Sequence, residues 1–234
     1  MTSASVGTRH HPLMIAVSGP SGSGKSTLSR ELARSLGGLH FSLDHYYRDL
    51  SHLPHAQRAA SNFDDPAMLE VDLLATQLAA LARGEAIQRP VYDFATHSRV
   101  PGASETISPM PVIFVEGLFS YAYASVRPIY HFSIHVDAPD ALCFERRLRR
   151  DVEERGRTPE SVRRQYDATV RPCGLAFVRP LAELTDILID GGDPLDFKVE
   201  QVIAALRRRG LLRSSQGSAI PLSDCAPPPD RAGS

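Results

Sequence analysis

Apolar positions along the chain follow two rhythms. Leu13 to Ser18 (LMIAVS) is a short, continuous apolar run with β-branched members, the pattern of a strand buried on both faces. PVIFVEG at 111–117, HFSIHV at 131–136 and DILI at 186–189 repeat it, and a shorter run predicts a strand around His40 to Leu43. Between these runs the spacing becomes helical. Leu28, Leu32 and Leu36 share one helix face, and Gly37-Gly38 ends it. Met68, Val71, Leu74, Leu78 and Leu81 predict an amphipathic helix that ends near Gly84. Further helices are expected over 139–153, 159–177 and 194–209, with Gly156 breaking the first two apart.

Strands that alternate with helices predict an α/β fold, a parallel sheet covered by helices on both faces. Residues 86–109 depart from this rhythm. Prolines and polar β-formers alternate there, so a small β-hairpin outside the main sheet is expected. Residues 13–212 are expected to form one domain. Residues 1–12 are polar, and residues 213–234 are rich in proline and serine, so both are expected to be disordered.

The segment joining the first strand to the first helix is Gly19-Pro-Ser-Gly-Ser-Gly-Lys25-Ser26, which fits G-x-x-x-x-G-K-[ST]. Gly19, Gly22 and Gly24 let the backbone wrap, so that N–H groups of the loop, including those at Ser21, Ser23 and Thr27, converge on phosphate oxygens. Lys25 is placed to reach the outer phosphates, and the Ser26 hydroxyl to ligate Mg²⁺. This phosphate-binding loop predicts a P-loop NTPase-type sheet and a nucleoside triphosphate, without naming the reaction.

Composition narrows the choice. The 234 residues are 42% hydrophobic and 23% charged, with a formal net charge of −1, so no global field draws the chain to nucleic acid or to a membrane surface. Three widely spaced cysteines form no metal or disulfide pattern, and a cytoplasmic protein is expected. Only Lys25 and Lys198 are lysines among 26 basic residues, so a chain that otherwise uses arginine keeps lysine inside the loop. The one asparagine, Asn62, precedes Phe63, so the N-K-x-D guanine reader of a GTPase is absent. A small-molecule kinase remains.

A kinase needs a carboxylate at the attacking hydroxyl, a contact to the metal and positive charge on the moving phosphoryl group. Asp44, at the carboxyl end of the second strand, faces the crevice where ligands of parallel sheets bind. Glu116 follows an apolar strand at the Walker B position, where an uncompensated acid is costly, which suits Mg²⁺ or its water. Arg147, Arg150, Arg155 and Arg157 cluster about Gly156, so an arginine-rich lid is expected over about 147–160.

Taken in order, G-P-S-G-S-G-K-S-T, D-H-Y-Y-R, N-F-D-D-P, R-P-V-Y-D-F-A-T-H-S-R, V-I-F-V-E-G and R-R-L-R-R-D-V-E-E-R-G-R resemble the uridine kinase family of P-loop nucleoside kinases. The resemblance implies that Asp44 activates the 5′-hydroxyl of a pyrimidine ribonucleoside. It implies that Tyr47 lines the nucleoside site, that Asp64 grips the ribose hydroxyls and that Tyr92 and His97 read the base edge. Arg147, Arg157 and Gln165 match further nucleoside contacts, Arg150 and Arg155 match arginines near the ATP phosphates, and Ser26 and Glu116 match the magnesium site. It further implies ATP as donor, pyrimidine salvage and a homo-oligomer, a tetramer in many relatives. A phosphoribulokinase- or pantothenate-kinase-like enzyme, and an idle nucleotide-binding regulatory module, remain the alternatives.

Overall fold

The computed structural model describes residues 11–212. Of the ends expected to be disordered, residues 1–10 and 213–234 lie outside them, whereas His11 and Pro12 are described, with Pro12 buried and His11 Nδ1 3.2 Å from Ala82 O. In chain order the elements are β1 (Leu13–Ser18), α1 (Lys25–Leu36), β2 (Leu39–Ser42), α2 (His55–Ala60), α3 (Val71–Ala82), β3 (Ile87–Asp93) and β4 (Ser98–Ile107). They continue with β5 (Val112–Glu116), β6 (Phe132–Asp137), α4 (Asp140–Glu153), α5 (Pro159–Gln165), α6 (Arg171–Cys173), β7 (Ile187–Asp190) and α7 (Leu195–Arg208). Among the described residues no helix is long and apolar enough to cross a membrane.

The main sheet has the order β2-β5-β1-β6-β7, with every pairing parallel. This is the parallel sheet that the apolar runs predict. Side chains alternate across it into two cores. Leu13, Ile15, Val17, Phe114 and Ile134 meet Leu28 and Leu32 of α1 and Val202 and Leu206 of α7. Met14, Ala16, Phe41, Ile113 and Val115 meet Leu74, Leu78 and Leu81 of α3. With every residue of β1 and β5 buried, the sheet cannot slip without moving an entire apolar set. That fixes the register, and the register fixes the site. Glu116 pairs with Val17 on one side and with Ser42 on the other, so the ends of three strands stop together at one rim.

Three boundaries differ from the sequence expectation. β2 stops at Ser42, and Asp44 lies in a 3₁₀ turn (Leu43–Tyr46) capped where Ser42 Oγ accepts the Asp44 N–H at 3.3 Å. A serine at that point offers the backbone an alternative to the ladder. α3 starts at Val71, because Pro66–Met68 form a separate 3₁₀ turn capped by Asp65, whose Oδ1 accepts the Ala67 N–H at 2.8 Å. The helix expected over 159–177 is α only in α5 and α6. Tyr166–Val170 and Gly174–Val178 are wide π-turns, and a 3₁₀ stretch (Arg179–Leu184) follows. Pro172 has no N–H to give to Ala168, so the regular ladder fails there.

The hairpin forms as expected, β3 against β4 and apart from the main sheet. Its register shifts between Pro90 and Tyr92, a bulge that re-aims Tyr92. His97 closes the turn with φ of 52°, in the left-handed region.

Candidate active site

The loop Gly19 to Ser26 joins β1 to α1. A Cβ on Gly22 would lie 2.2 Å from the Cys143 carbonyl oxygen, and one on Gly19 would lie 2.2 Å from that of Val136. Both glycines also have positive φ, 85° and 147°. No other residue fits this path. α4 pins the loop from behind. Arg146 Nη1 donates to Ser23 O at 3.3 Å and to Gly191 O at 3.0 Å, and Arg147 Nη1 donates to Ser21 Oγ at 2.9 Å. α1 carries no acidic residue in its first turn, so its N-terminal N–H groups and partial positive charge stay available to an anion. Lys25 Nζ lies over the loop, 3.4 Å from Pro20 O.

At the strand rim the Ser26 hydroxyl donates to Glu116 Oε2 at 3.0 Å, and Ser42 Oγ donates to Oε1 at 3.4 Å. His40 Nε2 stands 3.8 Å from Oε1. Burial pushes the Glu116 carboxyl up, but His40, Lys25 and Ser26 outweigh it and hold its pKa below the usual value. Asp44 shows the reverse. Burial raises its pKa, and the neighbouring Glu116 charge adds to the rise against Lys25, Arg155 and Arg150. Two neighbouring carboxylates are thus pushed apart, one kept ionised and one made a better proton acceptor. Ser26 and Glu116 supply hard oxygen donors, which fit Mg²⁺. That ion binds through one or two protein groups and substrate phosphates, and among the described residues no group of three or more His, Cys, Asp or Glu forms a closed cage.

A cavity of about 600 Å³ runs from Lys25, Ser26, Asp44 and Glu116 to Tyr47, Asp64, Tyr92 and His97. Its far end is aromatic. Phe63 stacks on His97 at 5.3 Å between ring centres, and Phe94 meets Tyr92 edge-on at 5.3 Å. Tyr47 Oη donates to Phe63 O at 3.1 Å, and Asn62 Oδ1 accepts the Asp64 N–H at 3.1 Å, which orders the Asp64 loop. Asp64 is buried, and that burial raises its pKa although Arg147 and Lys25 pull the other way. The Tyr92 hydroxyl is buried without a hydrogen-bond partner. Arg150, Arg155 and Arg157 close one wall, and Gln165 Oε1 accepts from both Arg147 Nη2 (3.0 Å) and Arg157 Nη1 (2.6 Å).

The model of the Phosphoribulokinase / Uridine kinase family matches residues 14–196. This chain belongs to that family. A uridine kinase of Chloroflexus aggregans is 43% identical over 199 residues, covering 84% of this chain and 95% of the relative. A uridine kinase of Escherichia coli is 41% identical over 190 residues, covering 78% and 89%. Among solved structures, a Silicibacter sp. TM1040 protein is similar with a TM-score of 0.60 and 22% identity, over 80% of this chain and 92% of that one. D-glycerate 3-kinase from Cryptococcus neoformans is similar with a TM-score of 0.53 and 18% identity, over 80% and 89%. These two likenesses show the fold.

In this member of the phosphoribulokinase/uridine kinase family, the cavity lining gathers Ser21, Lys25, Ser26, Asp44, Tyr47, Asp64, Tyr92, His97, Glu116, Arg147, Arg150, Arg155, Arg157 and Gln165. Gly19, Gly22, Ser23, Gly24 and Thr27 do not line it. Ser23 is fully buried, and Thr27 is exposed on the first turn of α1. Asp64 caps no helix, because the neighbouring Asp65 does. Sequence reasoning missed Phe63 and Phe94, which stand inside the N-F-D-D-P and Y-D-F-A-T-H-S-R blocks but look like ordinary packing residues. It also missed Asp151, which a charge run with arginines on both sides conceals.

Proposed function

We propose that this family member transfers the γ-phosphoryl group of ATP to the 5′-hydroxyl of uridine or cytidine. The supporting observation is the single cavity that joins the phosphate loop and Asp44 to a second end built from Asp64, Tyr92 and His97. A phosphoryl acceptor must present a hydroxyl beside the γ-phosphate, and Asp44 stands there with a proton affinity raised by burial and by Glu116. Lys25 and the loop N–H groups hold the phosphates. Bound through Ser26 and Glu116, Mg²⁺ would supply charge neutralisation on the phosphate oxygens.

At the far end a carboxylate accepts two hydrogen bonds from a cis-diol, which suits Asp64 and the ribose. His97 offers one donor and one acceptor, and burial, then His55 and Arg157, lower its pKa, so it meets a base edge as a neutral ring. The Tyr92 hydroxyl supplies a further polar group. Phe63 and Phe94 give the flat walls that a pyrimidine ring fills. Arg150, Arg155 and Arg157 sit beside Gly156, whose φ of 61° reverses the chain, and serve as a lid over the transferring group. Catalysis is then positioning plus electrostatics.

An ADP-release assay with uridine, cytidine, ribulose 5-phosphate and pantothenate as acceptors tests this reading. Release that depends on the two nucleosides supports it. Release that depends on ribulose 5-phosphate or pantothenate, or on no acceptor, contradicts it.

A further inference from the structure

Asp151, on α4, has no exposed side-chain surface and stands behind the cavity wall, yet four guanidinium groups share its carboxylate. They divide by oxygen. Arg150 Nη2 and Arg155 Nη1 approach Oδ1 at 2.8 and 3.5 Å. Arg147 Nε and Arg157 Nη1 approach Oδ2 at 3.6 and 3.3 Å. The main chain closes the arrangement, since the Arg157 N–H donates to Asp151 O at 3.1 Å.

The two pairs lean towards different ends of the cavity, and Arg147, which also donates to Ser21 Oγ of the phosphate loop at 2.9 Å, reaches both. Arg147 and Arg157 both donate to Gln165 Oε1, and Arg147 is the guanidinium that acts most on the Asp64 carboxyl. Arg150 and Arg155 act on Asp44, where the phosphoryl group moves. One carboxylate cannot neutralise four cations, so the cluster keeps a positive surplus for an incoming polyanion. A polyanion that draws Arg150 and Arg155 away from Oδ1 leaves a buried charge with fewer partners. That charge is then compensated by closer pairing with Arg147 and Arg157.

Resting on the nucleoside kinase reading, we propose that Asp151 is a positioning residue that couples the two halves of the site. Triphosphate on Arg150 and Arg155 tightens the grip of Arg147 and Arg157 on the nucleoside, and by reciprocity the nucleoside tightens the triphosphate. Asp151 touches neither substrate and acts through the arginines.

The test is calorimetric titration of uridine into the full chain, with and without a saturating non-hydrolysable ATP analogue and magnesium. The wild-type chain is expected to bind uridine about fivefold or more tightly with the analogue present, at the lower end of ordinary coupling strengths. Asp151→Asn is expected to bring that ratio to about twofold or less, so that KM for uridine at saturating ATP rises by about the factor lost, while uridine affinity without nucleotide changes by less than about twofold. If Asp151→Asn does not fold, Asp151→Glu, which keeps the charge but displaces it, is read the same way. Equal loss of both affinities with the ratio intact marks a purely structural role and overturns the proposal, as does a wild-type ratio of one. Failure of the wild-type chain to bind uridine at all overturns the pyrimidine reading, and the coupling with it.

Discussion

The Ser26 hydroxyl donates to the Glu116 carboxylate across 3.0 Å, joining the first turn of α1 to the last residue of β5, ninety positions later. Val17 and Ser42 flank Glu116 in the sheet, so the pair is held by the register of three strands rather than by a loop. Glu116→Gln keeps the shape and removes the charge. Its expected outcome is a rise of about tenfold or more in the magnesium concentration needed for half-maximal rate, in line with the loss of a metal-supporting carboxylate. Uridine affinity measured without nucleotide should stay within about twofold, since Glu116 lies at the other end of the cavity. A magnesium titration of the initial rate checks the first point, and calorimetry the second.

The phosphate loop should tolerate no side chain at position 22. Gly22→Ala places a methyl 2.2 Å from the Cys143 carbonyl oxygen, so either the loop or the start of α4 must move. The expected result is a loss of about tenfold or more in affinity for the ATP analogue, with unfolding stability lowered by about 1–3 kcal/mol. Equilibrium binding and urea unfolding on one preparation separate the two effects.

On the proposed nucleoside reading, sugar discrimination should follow from Asp64. A buried carboxylate that loses one of two hydroxyl partners is left under-bonded, at a cost of about 1.5–3 kcal/mol. Uridine should therefore exceed 2′-deoxyuridine in kcat/KM by about tenfold or more. Asp64→Ala should reduce that preference by lowering the uridine value most. Competing-substrate assays with the two nucleosides read it directly.

A stability effect away from the reaction comes from His135. Its ring lies in the sheet interior, with Nδ1 3.0 Å from Ser18 Oγ and Nε2 buried without a partner. Burial pushes its pKa down to about 4, against the partial support of Asp137. The unfolded chain takes up this proton near pH 6.5 and the folded chain only near pH 4, so the folded state weakens as pH falls through that window. From pH 7 to pH 5 the expected loss from this group is about 2 kcal/mol. Urea unfolding of His135→Gln should show a shallower fall over the same range than the wild-type chain.

Much of the fold was legible because both cores are continuous apolar sets. LMIAVS and VIFVE can be buried only between two helical layers, and the glycine spacing of residues 19–24 has one physical use. The polar members of the candidate site were legible by position, since Glu116 ends a strand, Asp44 lies in the turn just past one, and Lys25 opens the helix after the glycine loop. Three things were hidden. The bulge between Pro90 and Tyr92 depends on cross-strand register, which no local pattern carries. The π-turns on either side of Pro172 interrupt a stretch whose apolar spacing reads as one continuous helix, and a single proline in a sequence does not say how wide the interruption is. The Asp151 cluster has the local appearance of a solvated charge run, and only the turn at Gly156, which folds Arg157 back over α4, makes the aspartate the buried member.

The account rests most heavily on Asp44, so its amide variant is the most direct measurement. Asp44→Asn keeps the volume and removes the proton acceptor. Uridine-dependent ADP formation is expected to fall by about 10²–10⁴-fold, the usual worth of a positioned base. The affinity for uridine, measured by calorimetry on the same preparation, should change by less than about threefold. Turnover close to that of the wild-type chain would contradict the assignment of Asp44, and with it the reading of the cavity as a phosphoryl-transfer site.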